Sequence, residues 1–368
     1  MAIFGNKMLP FGGVEDRFIF SVKTDNAGTS GTNQFTIPTT GSGYLYDIET
    51  SDGQTIVGVT GSHTITFPGA GTYTVYISGT FPQIYFNNSG DKLKILSVGN
   101  WGIYGIGVFS YANNFYGCTN IPSIGEDVTN FNIITNGTNC FLSCKIAILP
   151  SGMTLNSLTA GSGMFAGNLL TSLPTGMNLP LLTNGTNMFG SNNLTTLPSS
   201  MTLPNLTNGF YMFFNNNLTT LPSGMNLPLL TNGFYMFRSN GLTTLPTGMN
   251  LPLLTNGNTM FFNNNLTTLP SSMTLPNLTD GTNMFRGNGL TDLPAGMTLP
   301  SLTNGNSMFL DCTINTTRYS QLLIDMEAGN VNNNVTFHGG NSKYNTAGET
   351  AKNALIARGW VITDGGLE

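Results

Sequence analysis

The amino-acid sequence predicts a mainly β protein in which a small β-sandwich is followed by a solenoid of 24-residue turns and closed by a small α/β cap. Three observations carry this reading. Seven short segments rich in β-branched and aromatic residues crowd the first 110 positions, a 24-residue repeat then runs without a slip, and the apolar spacing becomes helical after Phe309.

The seven segments are RFIFSVKT, NQFTIP, YLYDIET, HTITF, TYTVYISG, QIYFNN and KLKILSV. Each alternates or clusters apolar residues between Gly, Asn, Pro and Asp, the residues that end strands. Seven strands within residues 15–110 fit a two-sheet sandwich. Residues 1–14 hold one Lys, three glycines and no apolar run of leader length. They read as a flexible or docking segment rather than a secretory leader.

The repeat occupies residues 111–310. Phenylalanine recurs at 165, 189, 213, 237, 261, 285 and 309, always 24 residues apart. Met153, Met177, Met201, Met225, Met249, Met273 and Met297 keep the same register, as do Pro150, Pro174, Pro198, Pro222, Pro246, Pro270 and Pro294. Phe141 stands one period earlier and Phe115 a further 26 residues back, so the first turns are less regular. Three residues after each phenylalanine stand Cys118, Cys144, Asn168, Asn192, Asn216, Asn240, Asn264, Asn288 and Cys312. The leucine-rich-repeat motif L-x-x-L-x-L-x-x-N/C-x-L has this alternation, its Asn or Cys turning inward after a short strand to tie neighbouring turns. Each turn is therefore expected to offer a short strand around Met-Phe, a bend at Asn, and a return through L-T-T-L-P and M-x-L-P. Nine such rungs at a strand spacing of about 4.8 Å would form a rod about 40 Å long.

Such a stack has no core except the neighbouring turn, so its ends need caps. Residues 311–368 supply one. RYSQLLIDMEAGN reads as an amphipathic helix around Leu322, Leu323, Ile324 and Met326. Thr346-Ala-Gly-Glu349 has the spacing of a capping box, opening a second helix through Ala354, Leu355 and Ile356 that stops at Gly359. Trp360, Val361 and Ile362 supply a last strand.

Only 8% of residues are charged, against roughly 25% in ordinary soluble domains. With 12 basic and 17 acidic residues and a net charge of −5, the chain lacks the basic footprint of a nucleic-acid binder. No apolar run approaches a membrane span, so no membrane insertion is expected. Cys118, Cys140, Cys144 and Cys312 are too scattered for a disulfide framework. Nor do they form the close pairs of a zinc site, and their place in the repeat explains them as substitutes for Asn. No metal and no cofactor is implied.

Two resemblances then follow. Tyr46-Asp-Ile-Glu-Thr-Ser-Asp-Gly53, His63-Thr-Ile-Thr-Phe67 and Pro68-Gly-Ala-Gly-Thr-Tyr-Thr-Val75 together resemble the polycystic-kidney-disease-type Ig-like domain, although Phe67 replaces the family's tyrosine and the first strand lacks its tryptophan. The solenoid, with Met-Phe, then Cys or Asn, then Leu and Leu-Pro, is similar to BspA-like leucine-rich-repeat surface proteins. Phe81-Pro-Gln-Ile-Tyr-Phe-Asn-Asn-Ser-Gly-Asp-Lys92 before the repeats and Ala354-Leu-Ile-Ala-Arg-Gly-Trp360 after them resemble bacterial and bacteriophage members of that group. The resemblance implies an Ig-like β-sandwich ahead of a leucine-rich-repeat solenoid, and attachment or surface display. It carries no catalytic residues.

Candidate chemistry is sparse. His63 and His338 are the only histidines, and neither has a nucleophile and acid readable around it. Asp47, Glu49, Asp52 and Asp91 could hold calcium, but their spacing fits no calcium loop and favours turn and solvent roles. Asn193, Asn217, Asn265, Asn205 and Asn277 head formal glycosylation sequons, which the repeat explains as polar turn positions. Between Gly161 and Leu310 only Arg238, Asp280, Arg286 and Asp292 are charged. That leaves no paired carboxylates for glycoside hydrolysis.

The sharper signal lies where near-identical rungs differ. The positions flanking Met-Phe read Thr186, Asn187, Gly190; Phe210, Tyr211, Phe214; Phe234, Tyr235, Arg238; Asn258, Thr259, Phe262; and Thr282, Asn283, Arg286. Polar residues are accepted there, so the positions are expected on the surface. Phe210, Tyr211, Phe214, Phe234, Tyr235, Arg238 and Phe262 then form one aromatic patch of the kind found at interface hot spots. Such a patch packs against a second copy of the chain or its own N-terminal domain, or meets a host surface protein or a glycan; the residues leave both readings open. The expectation is a non-enzymatic bacteriophage protein on the virion surface, either a tail fibre or receptor-binding protein or a capsid decoration protein, with the N-terminal region contacting other virion proteins. The alternative is an adhesin on a bacterial cell surface.

Overall fold

The computed structural model describes residues 16–368; the segment 1–14 expected to be flexible or docking lies outside the described residues. The chain is mainly β, with two helices near its C-terminal end among the described residues. Its strands begin with β1 (Phe18–Lys23), β2 (Gln34–Ile37), β3 (Leu45–Thr50), β4 (Thr55–Val59), β5 (His63–Thr66), β6 (Thr72–Thr80) and β7 (Ile95–Asn100). They make a five-stranded sheet ordered β4-β3-β6-β1-β7 and a separate β2-β5 pair, all antiparallel. Alternation sets the faces: Phe18, Phe20 and Val22 of β1 are buried, as are Tyr46 and Ile48 of β3 and Val75 and Ile77 of β6. Phe20 meets Phe35 of the smaller pair at 5.7 Å between ring centroids.

Two of the expected strands are corrected. QIYFNN is an extended loop, because its backbone bonds separate segments: Tyr85 N–H donates to Pro38 and Phe86 N–H to Asn114. KLKILSV begins its strand only at Ile95, since Lys94 N–H turns back to the Asp91 carbonyl at 2.8 Å. The sequence reading also missed β4. It is an edge strand whose Val57 is 67% exposed and whose Gly58 has φ +69°, so it carries no alternating pattern to read.

Val98 of β7 bridges Ile124 in parallel, and from there isolated parallel bridges climb the chain in 24-residue steps from Asn136↔Ala160 to Asp280↔Asn304. Buried phenylalanines form a continuous spine beside them. Phe141, Phe165, Phe189, Phe213, Phe237, Phe261, Phe285 and Phe309 stack with neighbouring centroids 5.5–5.8 Å apart. Trp101, its ring centroid 5.8 Å from that of Phe18 and 6.3 Å from that of Phe141, joins this spine to the N-terminal sheet.

The expected strand around Met-Phe is not there. Met188 and Phe189 lie in consecutive turns, and the bridging residue of that rung is Asn184. Between bridge and Met-Phe stands Asn187 at φ +51°, which breaks the extended backbone. Neighbouring turns are still laced together, with Gly185, Asn187, Phe189 and Ser191 N–H donating to Asn208, Phe210, Met212 and Phe214. A glycine column explains the close approach. A Cβ at Gly185, Gly209 or Gly233 would lie 2.6–2.7 Å from the thioether sulfur of Met212, Met236 or Met260 in the next rung.

At the C-terminal end β8 (Asn304–Gly305) pairs in parallel with β9 (Thr336–His338), which pairs in parallel with β10 (Val361–Thr363). Helices α1 (Thr316–Gly329) and α2 (Thr346–Ala357) make the two crossovers. The cap of α2 is corrected by one residue: Asn345, not Thr346, accepts from Gly348 N–H at 3.0 Å. Asn315 does the same for α1, accepting from Arg318 N–H at 3.0 Å.

Candidate functional site

Each rung has an inner and an outer column. In the inner one the Asn192 amide donates to the carbonyls of Phe165 and Phe189 at 2.9 and 3.1 Å, and its oxygen accepts from Leu170 N–H at 3.1 Å. Asn168, Asn216, Asn240, Asn264 and Asn288 make the same bonds between rungs. One side chain thus satisfies backbone groups of two or three segments that water cannot reach.

Cysteine takes this column towards its ends. The Cys144 thiol donates to the Phe115 carbonyl at 2.9 Å, and the Cys312 thiol to the Phe285 carbonyl at 3.5 Å. The latter acceptor stands in the same relation to Cys312 as Phe165 does to Asn192. Burial pushes the Cys144 thiol up to about 12 and the Cys312 thiol up to about 11, so both remain protonated donors. Burial also raises Cys118 and Cys140, with Cys144 adding to each shift.

The outer column runs through Asn187, Tyr211, Tyr235, Thr259, Asn283 and Ser307, all at φ between +51° and +60°. This left-handed conformation suits Gly and Asn and costs other residues about 1–2 kcal/mol. Two consecutive rungs nevertheless carry tyrosine. The backbone holds them there: Tyr211 N–H donates to the Phe234 carbonyl and Tyr235 N–H to the Asn258 carbonyl, at 3.0 and 3.1 Å. An asparagine row steadies the approach, Asn232 donating to Asn208 at 3.1 Å while each accepts from the N–H two residues on, Phe234 and Phe210.

The seven patch residues lie together and half-buried. Phe210 stacks on Phe234 at 5.1 Å and 9°, and Tyr211 on Tyr235 at 4.6 Å and 20°. Phe214 stands edge-on to Tyr211 at 5.1 Å. The Arg238 guanidinium lies 4.5 Å from the Tyr235 ring centre, 5.0 Å from that of Phe262 and 5.8 Å from that of Phe214. Arg286 lies 5.5 Å from the other neighbour of this row, Phe262. Because the rings of adjacent rungs face each other, their rims and the tyrosine hydroxyls are what they offer outward. The Tyr211 hydroxyl is pushed up, first by burial and then by Tyr235, with Arg238 opposing.

The remaining candidates are engaged elsewhere. Asp91 is buried, accepting from Thr29, Ser30 and Thr36 N–H beside Lys94. Asp47 accepts from Gly58 N–H, Glu49 pairs with Arg17 at 2.8 Å, and Asp52 accepts from Thr50 and Gln54. Asp280 accepts from Asn258, whereas Asp292 sits 3.6 Å from Arg318 of the cap. His63 lies in β5, and His338 accepts from Gly340 N–H. Asn193, Asn217 and Asn265 are exposed, while the Asn205 and Asn277 amides donate to Pro180 and Pro252 one rung back. Sequence reasoning found the patch but missed its backbone; the Asn, Gly and Ser at positions 139, 163, 187, 283 and 307 were the signal for a left-handed residue. No protein-family model matches the chain, and no curated protein matches its sequence. Among the described residues no helix is long and apolar enough to cross a membrane.

Proposed function

We propose that this chain is a non-enzymatic attachment protein displayed on the surface of a bacteriophage virion. In this reading residues 15–110 are an Ig-like sandwich that docks on other virion proteins, and residues 111–310 are a leucine-rich-repeat solenoid that carries the contact face, closed by the cap at 311–368. The observation that supports it best is the pair Tyr211 and Tyr235. A left-handed position that six other rungs fill with Asn, Gly or Ser, and one with Thr, holds large aromatics only where they build one half-buried platform. Strain accepted for a surface contact points to a partner at that surface.

The test is binding of the full chain to intact bacterial cells and to a panel of their surface glycans. Tyr211→Ala and Tyr235→Ala are expected to weaken attachment by about tenfold or more each, with the far-ultraviolet circular dichroism unchanged. Attachment that survives both changes in a folded chain removes the patch from the contact.

A further inference from the structure

The row Phe214, Arg238, Phe262, Arg286 advances one rung per step and alternates ring with cation. In the 150 residues from Gly161 to Leu310 these are the only two cations. They are not equivalent. Arg286 has its guanidinium 4.0 Å from Asp311 and donates to Asn283 at 3.4 Å. Arg238, among the described residues, has no carboxylate within ion-pair distance and no hydrogen bond from its side chain, and its Nε is buried without a partner. Tyr235, Phe262 and Phe214 surround it, their ring centres 4.5, 5.0 and 5.8 Å from Cζ. A guanidinium packed among rings, with no internal acceptor, keeps its two terminal amino groups as a donor pair for an external oxyanion. Arginine pairs with a carboxylate through two parallel charge-assisted bonds, and holding the fork in advance lowers the cost of forming them.

We propose that the ligand of this face is an acidic polysaccharide whose carboxylates are taken by Arg238 and, less strongly, by Arg286; this rests on the attachment reading above. Two features favour a polysaccharide over an acidic peptide. The hydroxyls of Tyr211 and Tyr235 stand beside Arg238 as hydrogen-bonding partners for sugar hydroxyl groups. The two arginines stand two rungs apart, roughly 10 Å at the spacing of neighbouring strands, which suits a chain with a carboxylate on alternate sugars.

The experiment uses the full chain, cells that it binds, and uronate-bearing oligosaccharides of hyaluronan, chondroitin and alginate beside uncharged chitin oligosaccharides and oligoglutamate. Uronate chains are expected to bind at least about tenfold more tightly than chitin chains, the more so at low salt. Arg238→Gln should abolish that preference, Arg238→Lys should keep part of it, and Arg318→Gln on the cap should leave it intact. Reducing the uronate carboxylates of the cells' own polysaccharide to alcohols should release the protein. Undiminished binding to the reduced cells, or equal binding of chitin and uronate chains, overturns the acidic ligand while the attachment reading stands. Capture of oligoglutamate in preference to every sugar replaces the polysaccharide by an acidic protein. If Tyr211→Ala and Arg238→Gln both leave cell binding untouched, the attachment face itself falls.

Discussion

The inner and outer columns of the stack share one backbone and one repeat, yet they treat variation in opposite ways. Inside, Asn168 to Asn288 never changes across six rungs, because every amide closes a set of hydrogen bonds between turns. Outside, the backbone is as uniform, with φ near +55° in each rung, but the side chain runs from Asn to Tyr to Thr to Ser. Uniform residues on a uniform backbone report what the fold requires. Varied residues there, some of them disfavoured by that backbone, report what the surface does.

The largest effect is expected where the inner column is broken. Asn216→Leu fills the volume but leaves the buried N–H of Leu194 without its partner and takes one of two donors from each of the Phe189 and Phe213 carbonyls, which keep Asn192 and Asn240. An unsatisfied buried group costs about 1–3 kcal/mol and each further lost bond about 0.5–1.5 kcal/mol, so the variant should lose about 2 kcal/mol or more in denaturant unfolding. A loss below about 1 kcal/mol would mean that neighbouring turns do not depend on this amide, and the contrast between the columns would fail.

How much of this was legible beforehand follows from the same distinction. The 24-residue period, the Asn and Cys column, both helices and the last strand could be read from the sequence, because each rests on a local pattern. The strand assigned to Met-Phe could not survive. Its apolar pair resembles strand, but the left-handed residue immediately before it turns the chain, and that residue is Tyr at two rungs, where composition gives no warning. QIYFNN failed for a related reason: Ile84 and Phe86 are buried as a strand's residues would be, while their backbone partners come from different segments. The patch was legible as a departure from the repeat. The unmatched guanidinium of Arg238 was not, since it depends on which carboxylates the turns bring near.

A smaller effect, and one that sharpens the inner column, is expected at its end. Cys312→Asn puts the usual residue against the Phe285 carbonyl, so at neutral pH stability should stay within about 1 kcal/mol of the parent. The alkaline side should differ. Burial holds the Cys312 thiol at about 11 against an ordinary 9.0, so the folded chain keeps a proton that the unfolded chain releases. That contribution is complete below pH 9.0 and is lost as pH rises through about 11. Unfolding midpoints measured across that range should fall less steeply in the variant, the remaining buried thiols keeping part of the slope. An unchanged slope would show that the thiol does not titrate with unfolding.

The smallest effect on stability is expected where the effect on contact is large. Tyr235→Asn removes a ring that stacks on Tyr211 and supports Arg238. Aromatic pairing is worth about 0.5–1.5 kcal/mol, and a cation over a ring at a half-exposed site about 0.5–1 kcal/mol. Against these losses the left-handed backbone becomes comfortable, recovering about 1–2 kcal/mol. The two nearly cancel, so the unfolding free energy should move by no more than about 1 kcal/mol in either direction, far less than for Asn216→Leu, while cell attachment drops. A tyrosine whose removal costs the fold almost nothing but costs the contact a great deal would be held in place by the contact. If Tyr235→Asn instead unfolds the stack as readily as Asn216→Leu does, the aromatic platform is a brace between turns, and the outer column belongs to the fold as much as the inner one.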